Sequence, residues 1–225
     1  LITHPCAAVA KPTVEKKRTR VYSDKELQAL WHAFGEIGMV GDLFKLQLLT
    51  GTRKGELMQM EWKELDLDQG VWMQPDTRTK NRQVHVVPLS RQAVAILKGL
   101  QERQSQLKNV SKKESRYVFF SSRTGAVPIS WLQKAADRVK EKSKVMDFEA
   151  HDLRRTTGTR LAAAGVPKPV RKLILGHSLG KDITDDVYNM WEYFPERQKA
   201  LQTWAHKLTA IVSGLKAVAT AAEIS

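Results

Sequence analysis

The stretch Leu48–Leu67, LLTGTRKGELMQMEWKELDL, decides how the rest of the chain is read. Its first residues close a predicted helix over Asp42–Leu49, in which Leu43, Phe44, Leu46, Leu48 and Leu49 are mostly interior. Gly51 breaks that helix, and Leu57, Met58 and Met60 restart a helical pattern over Lys54–Trp62. Arg53 thus falls just after a glycine break, at a helix start, where a cationic side chain stands beside free backbone amides. Glu56, three residues on, is placed to orient or neutralise that guanidinium. Taken alone, the pair is an ordinary surface ion pair, worth little. It is not a nucleotide-binding loop, because Gly51, Gly55 and the lysine lack the required spacing.

Working outward, Ser23 reads as an N-cap with Glu26 at the capping-box position, followed by Leu27, Leu30, Trp31 and Phe34 at helical spacing. Beyond the opening stretch, Gly70–Gln74 and Gln83–Leu89 read as strands, the second through Val84, Val86 and Leu89. The polar turn Pro75–Arg82 joins them. Ser90 caps a helix running to about Leu107, Lys108–Arg116 reads as a charged loop, and Tyr117–Ser121 as a short apolar strand. Ile129–Lys142 is an amphipathic helix packing through Trp131, Leu132 and Ala135. Helices follow over His151–Ala164 and Lys168–Leu175, separated by Gly165 and Pro167, then over Ile183–Trp191 and Pro195–Leu215. The fold class is α+β, mainly α-helical, with a small antiparallel sheet or β-hairpin. Leu1–Lys17, with Pro5 and Pro12 and no clear periodicity, reads as a linker with another domain expected upstream. Lys216–Ser225 is an alanine-rich tail, and no internal repeat is found.

With 42% hydrophobic and 27% charged residues in 225, the chain can bury a real core, which excludes global disorder. The formal net charge of +13 makes a polyanion the default partner. Membrane surface is the competing polyanion, but no apolar run approaches the ~20 residues of a span and no signal-peptide core follows a basic segment. Nucleic acid is therefore the expected partner. Cys6 is the one cysteine, so an internal disulfide and a thiolate metal cluster are excluded. A reducing cytoplasmic setting, associated with the nucleoid, fits that usage.

Six positions could together supply the chemistry of a phosphodiester attacked by a phenol: Arg53, Lys80, His151, Arg154, His177 and Tyr188. In HDLRRT, His151 and Arg154 are three residues apart and share a helix face, where both can meet one phosphate, while Arg155 points about 100° away. On its own the motif is also consistent with an exposed basic helix. Lys80 sits in the turn TRTKNR, where a hairpin tip could carry a cationic acid into a DNA groove, with Arg78 and Arg82 as phosphate anchors. His177 follows Leu173–Leu175 in LGHS, a common place for a packing or capping residue. His151 and His177 lack a third ligand at metal spacing, so a zinc site is rejected. Helical tyrosines are ordinarily core or boundary residues. Tyr188 stands out by its company alone, and Tyr193 is its rival.

The order of these residues resembles the catalytic domain of tyrosine recombinases, the lambda-integrase superfamily: TGTR with an acid three residues on, a hairpin lysine, HxxR, GH, then tyrosine. The segments LLTGTRKGELMQMEWKELDL, HDLRRTTGTRLAAAGV and ERQKALQTWAHKL look like the prophage and genomic-island branch of those integrases. The resemblance covers roughly Val21–Leu208, which divides the chain into linker 1–20, catalytic domain 21–208 and helical tail 209–225. It implies that Arg53 and Arg154 grip the scissile phosphate, Tyr188 forms a 3′-phosphotyrosyl link, and Lys80 protonates the leaving 5′-oxygen. It further implies His151 as base or hydrogen-bond donor, His177 as phosphate support and Glu56 as a supporting residue. Tyr188 is preferred over Tyr193 because the branch's tail segment begins at about Tyr193. No metal or nucleotide cofactor is implied. The implied partners are double-stranded DNA attachment sites, a homotetramer on two duplexes (a monomer for the isolated fragment), and accessory DNA-bending or directionality proteins. The helix around Leu201–Leu215 would pack on a neighbouring protomer or within its own chain. A type IB topoisomerase-like enzyme and a non-catalytic basic DNA-binding module are the alternatives.

Overall fold

The computed structural model describes residues 18–79, 84–121, 123, 129, 132–177, 191 and 193–214. Lys80, Arg82, Trp131, Tyr188 and most of the Ile183–Trp191 helix lie outside the described residues. In chain order the helices are α1 (Asp24–Gly35), α2 (Met39–Thr50), α3 (Lys54–Met58), α4 (Arg91–Ser105), α5 (Val110–Lys113), α6 (Gln133–Ser143), α7 (Ala150–Ala163), α8 (Lys168–Ile174) and α9 (Phe194–Val212). Strands β1 (Leu65–Asp66), β2 (Val71–Gln74) and β3 (His85–Pro88) form one antiparallel sheet in that order. Trp72 pairs with Leu65 on one side and Val87 on the other. The expected class is therefore the observed one, mostly helical with a small antiparallel sheet.

α2 is the central element. It buries Leu43, Phe44, Leu46, Leu48 and Leu49, as its near-continuous apolar run requires. It packs on α1, α4, α7 and α9. α1 starts with the expected capping box, Ser23 N–H donating to Glu26 Oε2 at 2.9 Å. Phe34, Phe44 and Phe148 meet with centroids 5.4–5.9 Å apart. Tyr22 ties the chain's entry to the start of α7: its hydroxyl donates to Glu149 O at 3.1 Å and accepts from Glu149 N–H at 2.9 Å.

α9 closes the core from within the same chain, burying Ala200, Leu201, Trp204, Ala205, Leu208 and Ile211 against α1, α2, α7, α8 and β3. Two polar contacts fix its rotation. Trp204 Nε1 donates to Leu48 O at 2.8 Å, and the buried Arg197 Nη1 donates to Val86 O at 2.8 Å. No helix of the described residues is long and apolar enough to cross a membrane.

Several boundaries differ from the sequence reading for identifiable reasons. The helix expected over Lys54–Trp62 ends at Met58, because Glu61 is extended and bridges Tyr117. A 3-10 turn follows at Trp62–Glu64, its start closed by Glu61 N–H donating to Glu64 Oε2 at 3.3 Å. Tyr117–Ser121 is consequently no regular strand. Val118 N–H donates to Met60 O at 2.9 Å, but its partner turns away after Trp62. Within the loop expected at Lys108–Arg116, Asn109 caps the short helix α5 through Lys112 N–H. β1 was not anticipated; two residues are too few to carry a period.

Leu48 O accepts from both Trp204 Nε1 and Thr157 Oγ1, the latter at 2.7 Å, so one carbonyl joins α2 to α7 and α9. Trp204→Phe, which removes one of these donors and part of a buried ring, should destabilise the fold by about 1–2 kcal/mol in urea unfolding. An unchanged midpoint would show that the indole bond holds nothing.

Candidate active site

The C-terminal turn of α2, the start of α3, the middle of α7 and the end of α8 meet at one place. Gly51 ends α2 in the left-handed conformation, φ +70°, and directs its carbonyl toward α7. Thr50 and Thr52 hydroxyls lie 2.8 Å apart beneath it and stiffen the turn. Arg53 is the N-cap of α3, and Glu56 holds it twice. The Arg53 backbone N–H donates to Glu56 Oε2 and its Nη1 to Oε1, both at 2.8 Å. Glu56 is buried while Arg53 keeps about a third of its side chain exposed.

α7 contributes the deepest cation. Arg154 is only 6% exposed. Its Nη1 donates to Gly51 O at 2.8 Å, and its Nη2 donates to Leu175 O and lies 3.2 Å from His177 Nε2. Gly51 and Leu175 are the C-caps of α2 and α8, so one guanidinium satisfies carbonyls at the negative ends of two helices. A guanidinium can only donate, so in this contact His177 Nε2 is the acceptor. Burial first, then repulsion from Arg53, pushes Arg154 down to about 10, against attraction from Glu56. It remains cationic at neutral pH.

His151 stands one helical turn before Arg154 and is exposed. Burial of part of its ring, then Arg155, Arg154 and Arg53, pushes its pKa below the ordinary histidine value, with Asp152 opposing. The shift favours the neutral ring. Arg155 pairs with the fully buried Asp152, which also accepts from Arg18 Nε at 2.7 Å. A cavity of about 490 Å³ lined by Arg18, Arg154, Arg155, Arg171 and Leu175 opens on this flank of α7.

Of the residues singled out in the sequence, Arg53, Glu56, His151, Arg154 and His177 thus come together. Arg78 does not join them. It turns inward to Glu64 and the Gln59 carbonyl, and only 17% of its side chain is exposed. Tyr193 is the N-cap of α9, 41% exposed, with φ +50°. One neighbour of the cluster was missed in the sequence: His85, at the start of β3, whose ring touches the end of α8. Among the described residues, no group of three or more His, Cys, Asp or Glu side chains could hold a metal ion.

A model of the phage integrase family matches residues 21–190. The chain belongs to that family. It is 31% identical over 172 residues to the prophage integrase IntA of Escherichia coli K12, covering 76% of this chain and 39% of that protein. With prophage integrase IntZ of the same organism it shares 30% over 193 residues, covering 84% and 45%. The chain thus spans less than half the length of these two phage integrase relatives. Among solved structures, the XerA recombinase superposes with a TM-score of 0.58 at 15% identity, over 93% of this chain and 68% of that one. A lambda integrase tetramer bound to a Holliday junction gives 0.56 at 18% identity, over 83% and 53%. These likenesses establish that the chain shares the fold of those recombinase and integrase structures.

The electrostatics of this cluster can be checked by titration. By NMR titration His151 should protonate below the ordinary value of 6.5, and Arg155→Ala, removing a nearby cation, should raise its pKa. A normal wild-type value, or no rise in the variant, would contradict the arrangement.

Proposed function

We propose that this chain is the DNA-cutting and rejoining part of a site-specific tyrosine recombinase that integrates and excises a prophage or genomic island. The observation carrying this reading is the buried Arg154, fixed by two helix ends beside Arg53 and His177. Such cations are held in place before any anion arrives, as stabilisation of developing phosphate charge demands. Arg53 and Arg154 would take the non-bridging oxygens of the scissile phosphate, a task suited to planar guanidinium geometry.

In the proposed reaction, Tyr188 Oη attacks phosphorus as its proton passes to a base, for which the neutral His151 is the candidate. The bond from phosphorus to the 5′-oxygen breaks, and Lys80 gives that oxygen its proton. A 3′-phosphotyrosyl link and a free 5′-hydroxyl result. Rejoining reverses these steps with a 5′-hydroxyl from a second strand, because the covalent link conserves the energy of the broken bond. His177, held through Arg154, would support the phosphate in the transition state. Arg155 and the cavity beside it would receive backbone phosphates. A relative solved as a tetramer on a Holliday junction supports assembly of four chains on two duplexes. Accessory DNA-bending or directionality proteins, and a nucleoid setting, belong to the same proposal.

Given nicked suicide duplexes without magnesium, the wild-type chain should form an SDS-resistant protein–DNA adduct. Tyr188→Phe should abolish it with binding nearly intact, while Tyr193→Phe retains it. An adduct surviving in Tyr188→Phe would overturn the assignment of the nucleophile, and a wild type forming none would overturn the enzymatic reading. Arg154→Ala should lower cleavage ~100-fold or more, well beyond its loss of binding. Equal losses would reduce Arg154 to an anchor. Binding should also weaken steeply with salt, as phosphate neutralisation requires.

A further inference from the structure

β3 opens with His85, paired with Gln74 across the sheet, and its half-buried ring reaches over to α8. His85 Nε2 lies 2.9 Å from Leu173 O. A carbonyl only accepts, so Nε2 carries the proton and Nδ1 presents a lone pair. That side of the ring faces Gly176, which adopts φ +59°. A Cβ built on Gly176 would meet His85 Cε1 at 3.2 Å, His85 Nδ1 at 3.3 Å and Arg53 Nη1 at 3.6 Å. The imidazole edge, the glycine and the Arg53 guanidinium therefore converge on one point.

Burial pushes His85 down to about 4, with Arg197 and Arg154 acting in the same direction against the Leu173 carbonyl and Glu56. At neutral pH the ring thus adds no positive charge to a crowded cationic site. The end of α8 is held by side chains from two directions: Arg154 of α7 bonds Leu175 O, and His85 of β3 bonds Leu173 O. Just past these anchors the chain turns at Gly176, and His177 N–H donates to Lys172 O at 2.9 Å.

We propose that His85 is a positioning residue for the scissile phosphate: bonded to Leu173 O and wedged against Gly176, it sets where Arg53 and His177 stand. It touches no reacting atom. The inference rests on the phosphate-binding reading above, and no sequence signal beyond a lone strand histidine pointed to it.

The test compares single-turnover cleavage of suicide duplexes bearing either an ordinary scissile phosphate or a methylphosphonate, which lacks one anionic oxygen, in each of its two stereoisomers. His85→Leu should slow cleavage of the phosphate on the order of 10- to 100-fold, with DNA affinity changed by less than about threefold. His85→Gln, whose amide N–H can reach Leu173 O, should recover most of the rate. On at least one methylphosphonate isomer the His85→Leu deficit should shrink, because a misplaced cation matters less when the charge it would neutralise is gone. An equal deficit on every substrate, a loss of affinity matching the loss of rate, or no deficit would overturn the proposal. A wild type unable to form any adduct would instead sink the recombinase reading on which it rests. Nitrogen-15 spectra of the wild-type imidazoles supply a check free of folding effects. The proton of His85 should reside on Nε2 at pH 7, and a charged ring or the Nδ1–H form would overturn the inference.

Discussion

The Arg154 guanidinium, sunk between the last turns of α2 and α8, is the contact on which the site depends. Unpaired carbonyls at a helix C-terminus carry partial negative charge and need donors. Arg154 supplies donors to two such ends at once, Gly51 O and Leu175 O. In doing so it fixes the turn that leads to Arg53 and the turn that leads to His177. In the proposed function, folding and phosphate recognition would share a single side chain. The core beneath supports this arrangement, since Leu48 O, three residues before Gly51, accepts from both α7 and α9.

Bringing Arg53, Arg154 and His151 together is electrostatically unfavourable, and the structure offsets this by specific means. Glu56 faces Arg53 and attracts Arg154. Helix-end carbonyls take part of the Arg154 charge, and both His151 and His85 are held below their ordinary pKa, which disfavours a further cation there. What remains is a positive site on a chain of net charge +13. An incoming phosphate would provide the missing anion, and the strained cation set would then be relieved on binding rather than created by it.

Much of this was legible in the sequence because the informative signals are local. The capping box at Ser23 and Glu26, the glycine break at Gly51 and the Arg53–Glu56 pair all act within four residues. The three-residue spacing of His151 and Arg154 placed them on one face, but it could not give depth: Arg154 is buried and His151 exposed. What the sequence left out is non-local. Arg78 read as a phosphate anchor in the hairpin turn, yet Glu64, fourteen positions earlier, draws it inward. The end of α3 is set by a bridge from Glu61 to Tyr117, and the contact of His85 with Leu173 spans 88 positions. Neither leaves a period in the chain. The order of the candidate residues carried the family resemblance, and the structure adds why Arg154 can hold its place.

The central claim is that one buried guanidinium ties two helix ends before DNA is present. Amide hydrogen exchange on DNA-free Arg154→Lys tests it most directly, since lysine keeps the charge but loses the planar fork. The account predicts faster exchange at residues 51–53 and at 175–177 together, with α1 retaining wild-type protection. Wild-type protection at both turns would contradict it.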